Sequence, residues 1–154
     1  MALADLISAD QIIPKMKATE RWDAIVELMD LLVQRGKIRP QDRDGILVSL
    51  KQREETMSTG IGFGIAIPHC SADCLENVVV AFGRSSEGIE FDALDNAPVK
   101  FVVLFIVPKN QFQTHLRTLA AIAKFLTDRN VRDQLANAKT ADEILAIFRA
   151  RGQS

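Results

Sequence analysis

The sequence lacks the features that mark secreted or membrane-spanning proteins. Its two cysteines among 154 residues, Cys70 and Cys74, are too few and too close together to form a disulfide framework. The amino-terminal stretch has neither the basic start nor the apolar core of a signal peptide. The longest apolar run, residues 101–107, is too short to cross a bilayer. We therefore expect a cytoplasmic protein with no membrane insertion.

Neither sign of charge is in excess. The 19 Lys and Arg residues are matched by 20 Asp and Glu residues, and the formal net charge is -1. Proteins that bind nucleic acid through their overall charge are strongly basic, so no nucleic-acid partner is expected. With 154 residues, 47% of them apolar, the chain is sized for a single domain over residues 1–154.

Two amphipathic helices are predicted in the first third of the chain. Apolar residues recur at helical spacing through residues 22–33, with Thr19 as the predicted N-cap and Gly36 as the stop. A second helix is predicted to open at Pro40 and to carry Arg53 in its last turn, where the helix dipole favours a cation. The sequence therefore places a positive charge just before the segment that follows.

Strands are predicted in the middle of the chain and helices at its end. The strand candidates are residues 65–67, 78–82, 89–91 and a long run from Val99. The second and the last are almost wholly apolar, which is typical of strands covered by helices on both faces. Three helices are predicted in the last third, the final one opened by a capping box from Thr140 to Glu143. This order indicates an α/β or α+β fold built on one mostly buried sheet.

The segment from Ser58 to Cys70, STGIGFGIAIPHC, combines three alternating glycines with a proline and a histidine. The glycines resemble a phosphate-binding loop, but such loops follow a strand and open a helix. Here the glycines follow a predicted helix and precede a predicted strand. A nucleotide site is therefore disfavoured.

A metal site is a second interpretation of the same segment. His69, Cys70 and Cys74 lie close in the sequence, and His115 supplies a fourth ligand of a type that zinc accepts. Adjacent ligands at 69 and 70 do not match the usual spacings, and the sequence has no C-x-x-C or H-x-x-x-H pair. A zinc-binding protein that uses these four residues is an alternative that the sequence leaves open.

The third interpretation makes His69 a nucleophile for phosphoryl transfer. Histidine titrates near neutral pH, so a useful fraction of its rings is neutral and has an unprotonated nitrogen that can attack phosphorus. The reaction also needs donors for the phosphoryl oxygens and a positive charge, which Thr59 and Arg53 can provide. His115 falls on the apolar stripe of a predicted helix, near its start, so it is predicted to face the core.

Several separated motifs resemble one family. The run STGIGFGIAIPH, preceded by KQRE and followed by FDALDNAPV, VVLFIVP and THLRTLAAIAKFL, is similar to the enzyme IIA domains of the bacterial phosphotransferase system. Within that family the chain most resembles the free-standing nitrogen-related enzyme IIA, and more distantly the fructose and mannitol types. The resemblance extends from about Leu6 to Phe148. It implies an α/β fold with a mixed β-sheet flanked by helices on both sides.

The resemblance also implies a role for each candidate residue. It makes His69 the phosphorylated residue and His115 the second histidine of the site. Arg53 matches the family's site arginine, and Thr59 matches a hydroxyl that faces the phosphoryl group. No cofactor is implied. Cys70 departs from the family, which more often has glycine there, so the geometry after His69 is left open.

The function expected from this resemblance is that of a phosphotransferase component with a mainly regulatory role. The implied donor is a histidine phosphocarrier protein. Because we expect neither a membrane segment nor a fused transport domain, we favour a regulator that signals to target proteins through its phosphorylation state. The alternative is a sugar-type enzyme IIA that passes the phosphoryl group to a IIB transporter subunit.

Overall fold

The computed structural model describes residues 3–151, apart from the side chain of Arg151. The strands are β1 (Ile12–Ile13), β2 (Gly60–Gly62), β3 (Ile65–Ala66), β4 (His69–Ala72), β5 (Val79–Ile89) and β6 (Val99–Pro108). The α-helices are α1 (Arg21–Gln34), α2 (Arg43–Thr56), α3 (Phe112–Leu126), α4 (Arg129–Asn137) and α5 (Ala141–Arg151). Within this range, no helix is both long enough and apolar enough to cross a membrane.

The six strands form one mixed sheet in which β6 has the most neighbours. The order is β1-β5-β6-β3-β2, and β4 pairs with β6 beyond the end of β3. β5 and β6 are antiparallel, whereas β3 and β4 both run parallel to β6. The register of β4 places His69 beside Phe105 and Cys70 beside Ile106. The internal positions predicted for the two apolar strands, β5 and β6, are confirmed.

Helices cover both faces of this sheet. α1 and α2 pack on one face around Leu28 and Leu104, and α3 to α5 pack on the other around Phe105 and Phe148. Alternate residues of β6 contribute to opposite cores, as the two-residue period of a strand requires. Each large apolar side chain buried in this way contributes about 1.5–3 kcal/mol. The mixed sheet flanked by helices on both sides is therefore confirmed.

β5 is longer than the sequence predicts. A strand at 78–82 and a separate edge strand at 89–91 were expected, but one strand runs from Val79 to Ile89. Its register against β6 shifts between Arg84 and Ile89, and Gly88 has a φ of 96°. A register shift of this kind lets residues that favour turns, such as Gly88, remain inside a strand. The prediction of a separate edge strand at 89–91 was therefore wrong.

The glycine-rich segment forms a hairpin of β2 and β3. Phe63 lies at its tip with a φ of 60°, between Gly62 and Gly64, which also have positive φ. The two strands have three and two residues, too few to produce a recognisable apolar alternation. The sequence therefore predicts the second strand and misses the first.

The predicted helix ends are partly correct. Thr19 is not the N-cap of α1, because Glu20 occupies that position and its carboxylate accepts a hydrogen bond from the N–H of Asp23 at 3.0 Å. The capping box of α5 is confirmed. The N–H of Glu143 donates to Oγ1 of Thr140 at 3.1 Å, and the Glu143 carboxylate accepts from the N–H of Thr140 at 3.0 Å.

Candidate active site

His69 is the first residue of β4. β3 and β4 pair one after the other with the same side of β6, and a short interruption lies between them just before His69. Ile67 and Pro68 separate β3 from β4. Pro68 has no N–H to donate, but its carbonyl accepts a hydrogen bond from the N–H of Phe105 at 3.0 Å. This bond holds the chain against β6 through the interruption. Because His69 and Phe105 are register partners, the His69 ring lies on the face of the sheet that α3 covers.

The orientation of the His69 ring is set by a local contact. Its Nδ1 atom lies 2.7 Å from the carbonyl oxygen of Ile67. A carbonyl oxygen can only accept, so Nδ1 is the nitrogen that carries the proton in a neutral ring making this contact. Nε2 then has the free lone pair, which makes it the nucleophilic atom of His69.

The pKa of His69 is lower than its ordinary value. Burial of the half-buried ring is the main cause, because it disfavours the charged form. The bond to Ile67 raises the pKa, the positive charge of Arg53 lowers it, and the negative charge of Glu54 raises it. The net lowering favours the neutral, nucleophilic ring near neutral pH.

His115 faces the core at the start of α3, as the sequence predicts, and is only 6% exposed. Its ring packs edge-on against Phe105, with the ring centroids 6.1 Å apart. His115 and His69 line the same narrow cavity, whose other walls are largely apolar. Among residues 3–151, Nδ1 of His115 is buried and has no hydrogen-bond partner. The structure thus brings together two histidines that are 46 positions apart in the sequence.

Arg53 lies in the last turn of α2, as predicted, and its Nη1 donates to the carbonyl oxygen of Met57 at 3.0 Å. This bond directs the guanidinium toward the turn that leads to the glycine-rich hairpin. The positive charge of Arg53 is one of the causes that lower the pKa of His69, after burial of the ring.

The Thr59 side chain is buried and is engaged by a neighbouring carboxylate. Its Oγ1 donates to Oε1 of Glu54 at 2.5 Å, and its N–H donates to Oε2 of Glu54 at 2.8 Å. The hydroxyl therefore donates its only proton to Glu54, and its oxygen can still accept a hydrogen bond. The expected contact of Thr59 with a phosphoryl group stays a prediction.

Glu54 is a functional candidate that the sequence analysis missed. Its side chain is 1% exposed, and Oε2 also lies 3.7 Å from Nη1 of Arg21. A signal for its burial is present in the sequence, since Ile46, Leu50 and Glu54 follow one another at four-residue steps on one face of α2. From the sequence alone, a glutamate at this position is expected to end the apolar face. Its burial is explained only by the hydrogen bonds and the cation that its carboxylate has in the fold.

The four proposed zinc ligands do not converge. Cys70 packs in the core on the α1–α2 side, whereas His69 lies on the α3 side, because successive residues of β4 point to opposite faces. Burial raises the pKa of the Cys70 thiol to about 12, which opposes the thiolate form that zinc binds. Within residues 3–151, no three His, Cys, Asp or Glu side chains are grouped to hold a metal ion. The zinc alternative is contradicted.

Sequence comparison identifies relatives over nearly the whole chain. Residues 5–150 match the family described as "Phosphoenolpyruvate-dependent sugar phosphotransferase system, EIIA 2". A fructose-specific EIIA component from Haloferax volcanii is 41% identical over 126 residues, which is 80% of each chain. A nitrogen regulatory protein from Bradyrhizobium diazoefficiens is 30% identical over 148 residues, which is 96% of this chain and 95% of that protein.

Structural comparison agrees with the sequence match. The crystal structure of nitrogen regulatory protein IIA-Ntr from Neisseria meningitidis superposes with a TM-score of 0.85 at 27% identity. The superposition covers 95% of this chain and 98% of the other. The mixed sheet, the helices on both its faces and the order of these elements are therefore shared with a known nitrogen-related enzyme IIA. The chain belongs to the EIIA 2 family of the phosphoenolpyruvate-dependent sugar phosphotransferase system, a family of phosphotransferase components.

Proposed function

We propose that this chain carries a phosphoryl group on Nε2 of His69. The observation that supports this most directly is the contact of Nδ1 with the Ile67 carbonyl, which leaves Nε2 free and nucleophilic. The donor is a histidine phosphocarrier protein. The phosphorus–nitrogen bond to the donor ring breaks as the bond to Nε2 forms, and the leaving nitrogen takes back its electron pair. Each ring keeps the proton on its other nitrogen, so no proton has to move.

His115 and Arg53 are the residues we propose to stabilise the transferred group. Thr59 can donate to it only after its hydroxyl leaves Glu54, because its hydroxyl proton and its N–H are both donated to that carboxylate. The buried, unpaired Nδ1 of His115 suits a site in which the ring completes its hydrogen bonds only when a ligand arrives, since such an atom costs about 1–3 kcal/mol while unpaired. Arg53 supplies positive charge that acts at His69. One positioned donor of this kind is commonly worth about 3 kcal/mol in a transition state.

Phosphorylation of His69 provides the signal in a mainly regulatory role. The group adds negative charge to a chain whose net charge is only -1, so target proteins can bind the two forms differently. Similarity over nearly full length to a protein named a nitrogen regulatory protein supports this choice. The proposed partners are thus a histidine phosphocarrier protein and regulatory targets.

A sugar-type role is the second candidate. It is favoured by the 41% identity over 126 residues to a protein named a fructose-specific EIIA component. In that role the group passes from His69 to a IIB transporter subunit. Transfer to a purified IIB protein, with sugar uptake that depends on this chain, would establish it.

Mass spectrometry tests the acceptor residue. The wild-type chain, incubated with phosphoenolpyruvate, enzyme I and the phosphocarrier, is expected to gain about 80 Da. His69→Ala is expected to gain nothing. Ser71→Ala is the matched control, because Ser71 lies two residues further along β4 and is expected to leave the gain unchanged. A His69→Ala protein that still takes up the group would show that the acceptor is elsewhere.

A further inference from the structure

Glu54 is a buried carboxylate with two partners, Thr59 and Arg21. Its two oxygens accept hydrogen bonds from the N–H and the Oγ1 of Thr59, and Arg21 lies 3.7 Å from one of them. Burial of an unpaired carboxylate is costly, whereas these bonds satisfy both oxygens. Glu54 therefore fixes both the main chain and the side chain of Thr59.

The Thr59 backbone passes this restraint on toward His69. The carbonyl of Thr59 accepts a hydrogen bond from the N–H of Ile67 at 3.1 Å. The carbonyl oxygen of the same Ile67 accepts a hydrogen bond from Nδ1 of His69 at 2.7 Å. A continuous series of hydrogen bonds thus joins the Glu54 carboxylate to the histidine ring, although the two side chains lie on different secondary-structure elements.

We propose that Glu54 is a positioning residue for phosphoryl transfer at His69, an inference that rests on the proposed function. By fixing Thr59, it holds the Ile67 carbonyl where it orients the ring. The His69 proton is then kept on Nδ1, and Nε2 is kept available for attack. Nucleophiles misplaced by about 1 Å lose on the order of 100-fold in rate, so a restraint of this kind has a measurable effect.

A purely structural role for Glu54 predicts different results. In that case substitution would change the free energy of unfolding, but folded molecules would keep the native ring tautomer and the native rate. The two roles are distinguished by ¹⁵N NMR of the His69 ring, which reports which nitrogen carries the proton. This measurement needs no phosphoryl donor, so it is independent of the proposed function.

The test compares Glu54→Ala and Glu54→Gln with Glu55→Gln, which removes the same charge from the exposed neighbouring position. Glu54→Ala is expected to lower kcat for phosphorylation by about 10- to 100-fold, with KM for the phosphocarrier within about twofold of wild type. The fraction of the Nε2-protonated tautomer should rise. Glu54→Gln is expected to restore kcat to within about threefold, because its amide oxygen can accept from the Thr59 N–H while its amide N–H donates to Oγ1. Glu55→Gln should match wild type.

Several outcomes would overturn the positioning role. Folded Glu54→Ala protein with the native tautomer and kcat would do so, and so would an equal loss in Glu55→Gln. If Glu54→Ala does not fold, Glu54→Asp carries the same expectation, since it keeps the charge but withdraws it by one methylene. Native values for that variant would also overturn the role. Absence of phosphorylation in the wild-type chain would overturn both this proposal and the proposed function.

Discussion

The Nδ1 atom of His69 lies 2.7 Å from the carbonyl oxygen of Ile67, a residue only two positions earlier in the chain. The residue between them is Pro68, whose ring restricts its φ to about -65° and so limits how the backbone turns before the histidine. The contact that leaves Nε2 as the proposed nucleophilic nitrogen is therefore made within three residues, and the proposed role of Glu54 is to hold the Ile67 carbonyl in place for it. Distant elements contribute the surroundings of that ring, in particular the second histidine on α3 and the charges at the end of α2.

The lowered pKa of His69 predicts how phosphorylation depends on pH. A pKa below the ordinary 6.5 means that the ring takes up a proton only at more acidic pH than a free histidine does. Only the neutral ring can attack, so the midpoint of the acidic fall in initial rate should lie below pH 6.5. The rate profile and an NMR titration of the ring should agree. An inflection above pH 6.5 would contradict the prediction.

Arg53→Gln is predicted to shift the pH dependence of the phosphorylation rate. Loss of a positive charge that lowers the pKa of His69 should raise that pKa and move the acidic fall in rate to higher pH. The maximum rate should also drop by about 100-fold, because charge stabilisation of the phosphoryl oxygens is lost.

Lys51→Gln is the control for Arg53→Gln, because it removes one positive charge from an exposed position on the same helix. It should leave both the pKa of His69 and the rate unchanged. Equal effects of the two substitutions would point to net charge alone as the cause.

The elements that the sequence predicts well are those with a long, regular pattern. α1 repeats apolar residues at helical spacing over three turns, and β6 is apolar throughout its buried length. The resemblance, and not a regular pattern, put His69 and His115 in one site, and the structure explains why they share a cavity: β4 and the start of α3 both lie near the carboxyl end of β6. Short strands such as β2 and β4 form because they pair with neighbouring strands of the sheet. The local sequence pattern contains no information about that pairing.

The features that sequence reasoning missed depend on contacts between distant segments. A glutamate one position after an arginine looks like a solvated charge at a helix end, whereas Glu54 is buried because Thr59 and Arg21 satisfy its oxygens. The opposite orientations of His69 and Cys70 become visible only once residues 69–72 are known to form a strand. Both corrections concern side-chain direction, which requires the tertiary structure.

The buried thiol of Cys70 is predicted to be unreactive in the folded protein. Its pKa of about 12 keeps it protonated at about pH 8, and it packs in the core on the far side of β4 from the His69 ring. A Cys74→Ser variant treated with iodoacetamide should therefore take up no label until denaturant is added. Cys70→Ser should be labelled in the folded state, since Cys74 is exposed. Rapid labelling of folded Cys74→Ser protein would show that the core beside the site is open.

Two glycine substitutions are predicted to change stability in opposite directions. A Cβ at Gly60 would lie 2.7 Å from Cβ and 2.8 Å from Cα of Ala93, and backbone cannot move away as a flexible side chain can. Gly60→Ala should therefore lower the free energy of unfolding by about 2 kcal/mol. Gly45 lies in the first turn of α2, where an added Cβ would have no neighbour within 4 Å, so Gly45→Ala should raise the free energy of unfolding by about 0.5 kcal/mol through helix propensity.

Urea denaturation of both variants measures these changes, and the structure specifies what else should follow. Gly60 directly follows Thr59, and its carbonyl accepts a hydrogen bond from the N–H of Leu94 at 2.9 Å. A shift of the backbone at Gly60 should therefore disturb the turn that Glu54 holds, and the rate of His69 phosphorylation should fall together with stability. Gly45→Ala, at the opposite end of α2, should stabilise the protein without changing that rate. A Gly60→Ala protein of wild-type stability would mean that the 60 and 93 segments are not in close contact in solution.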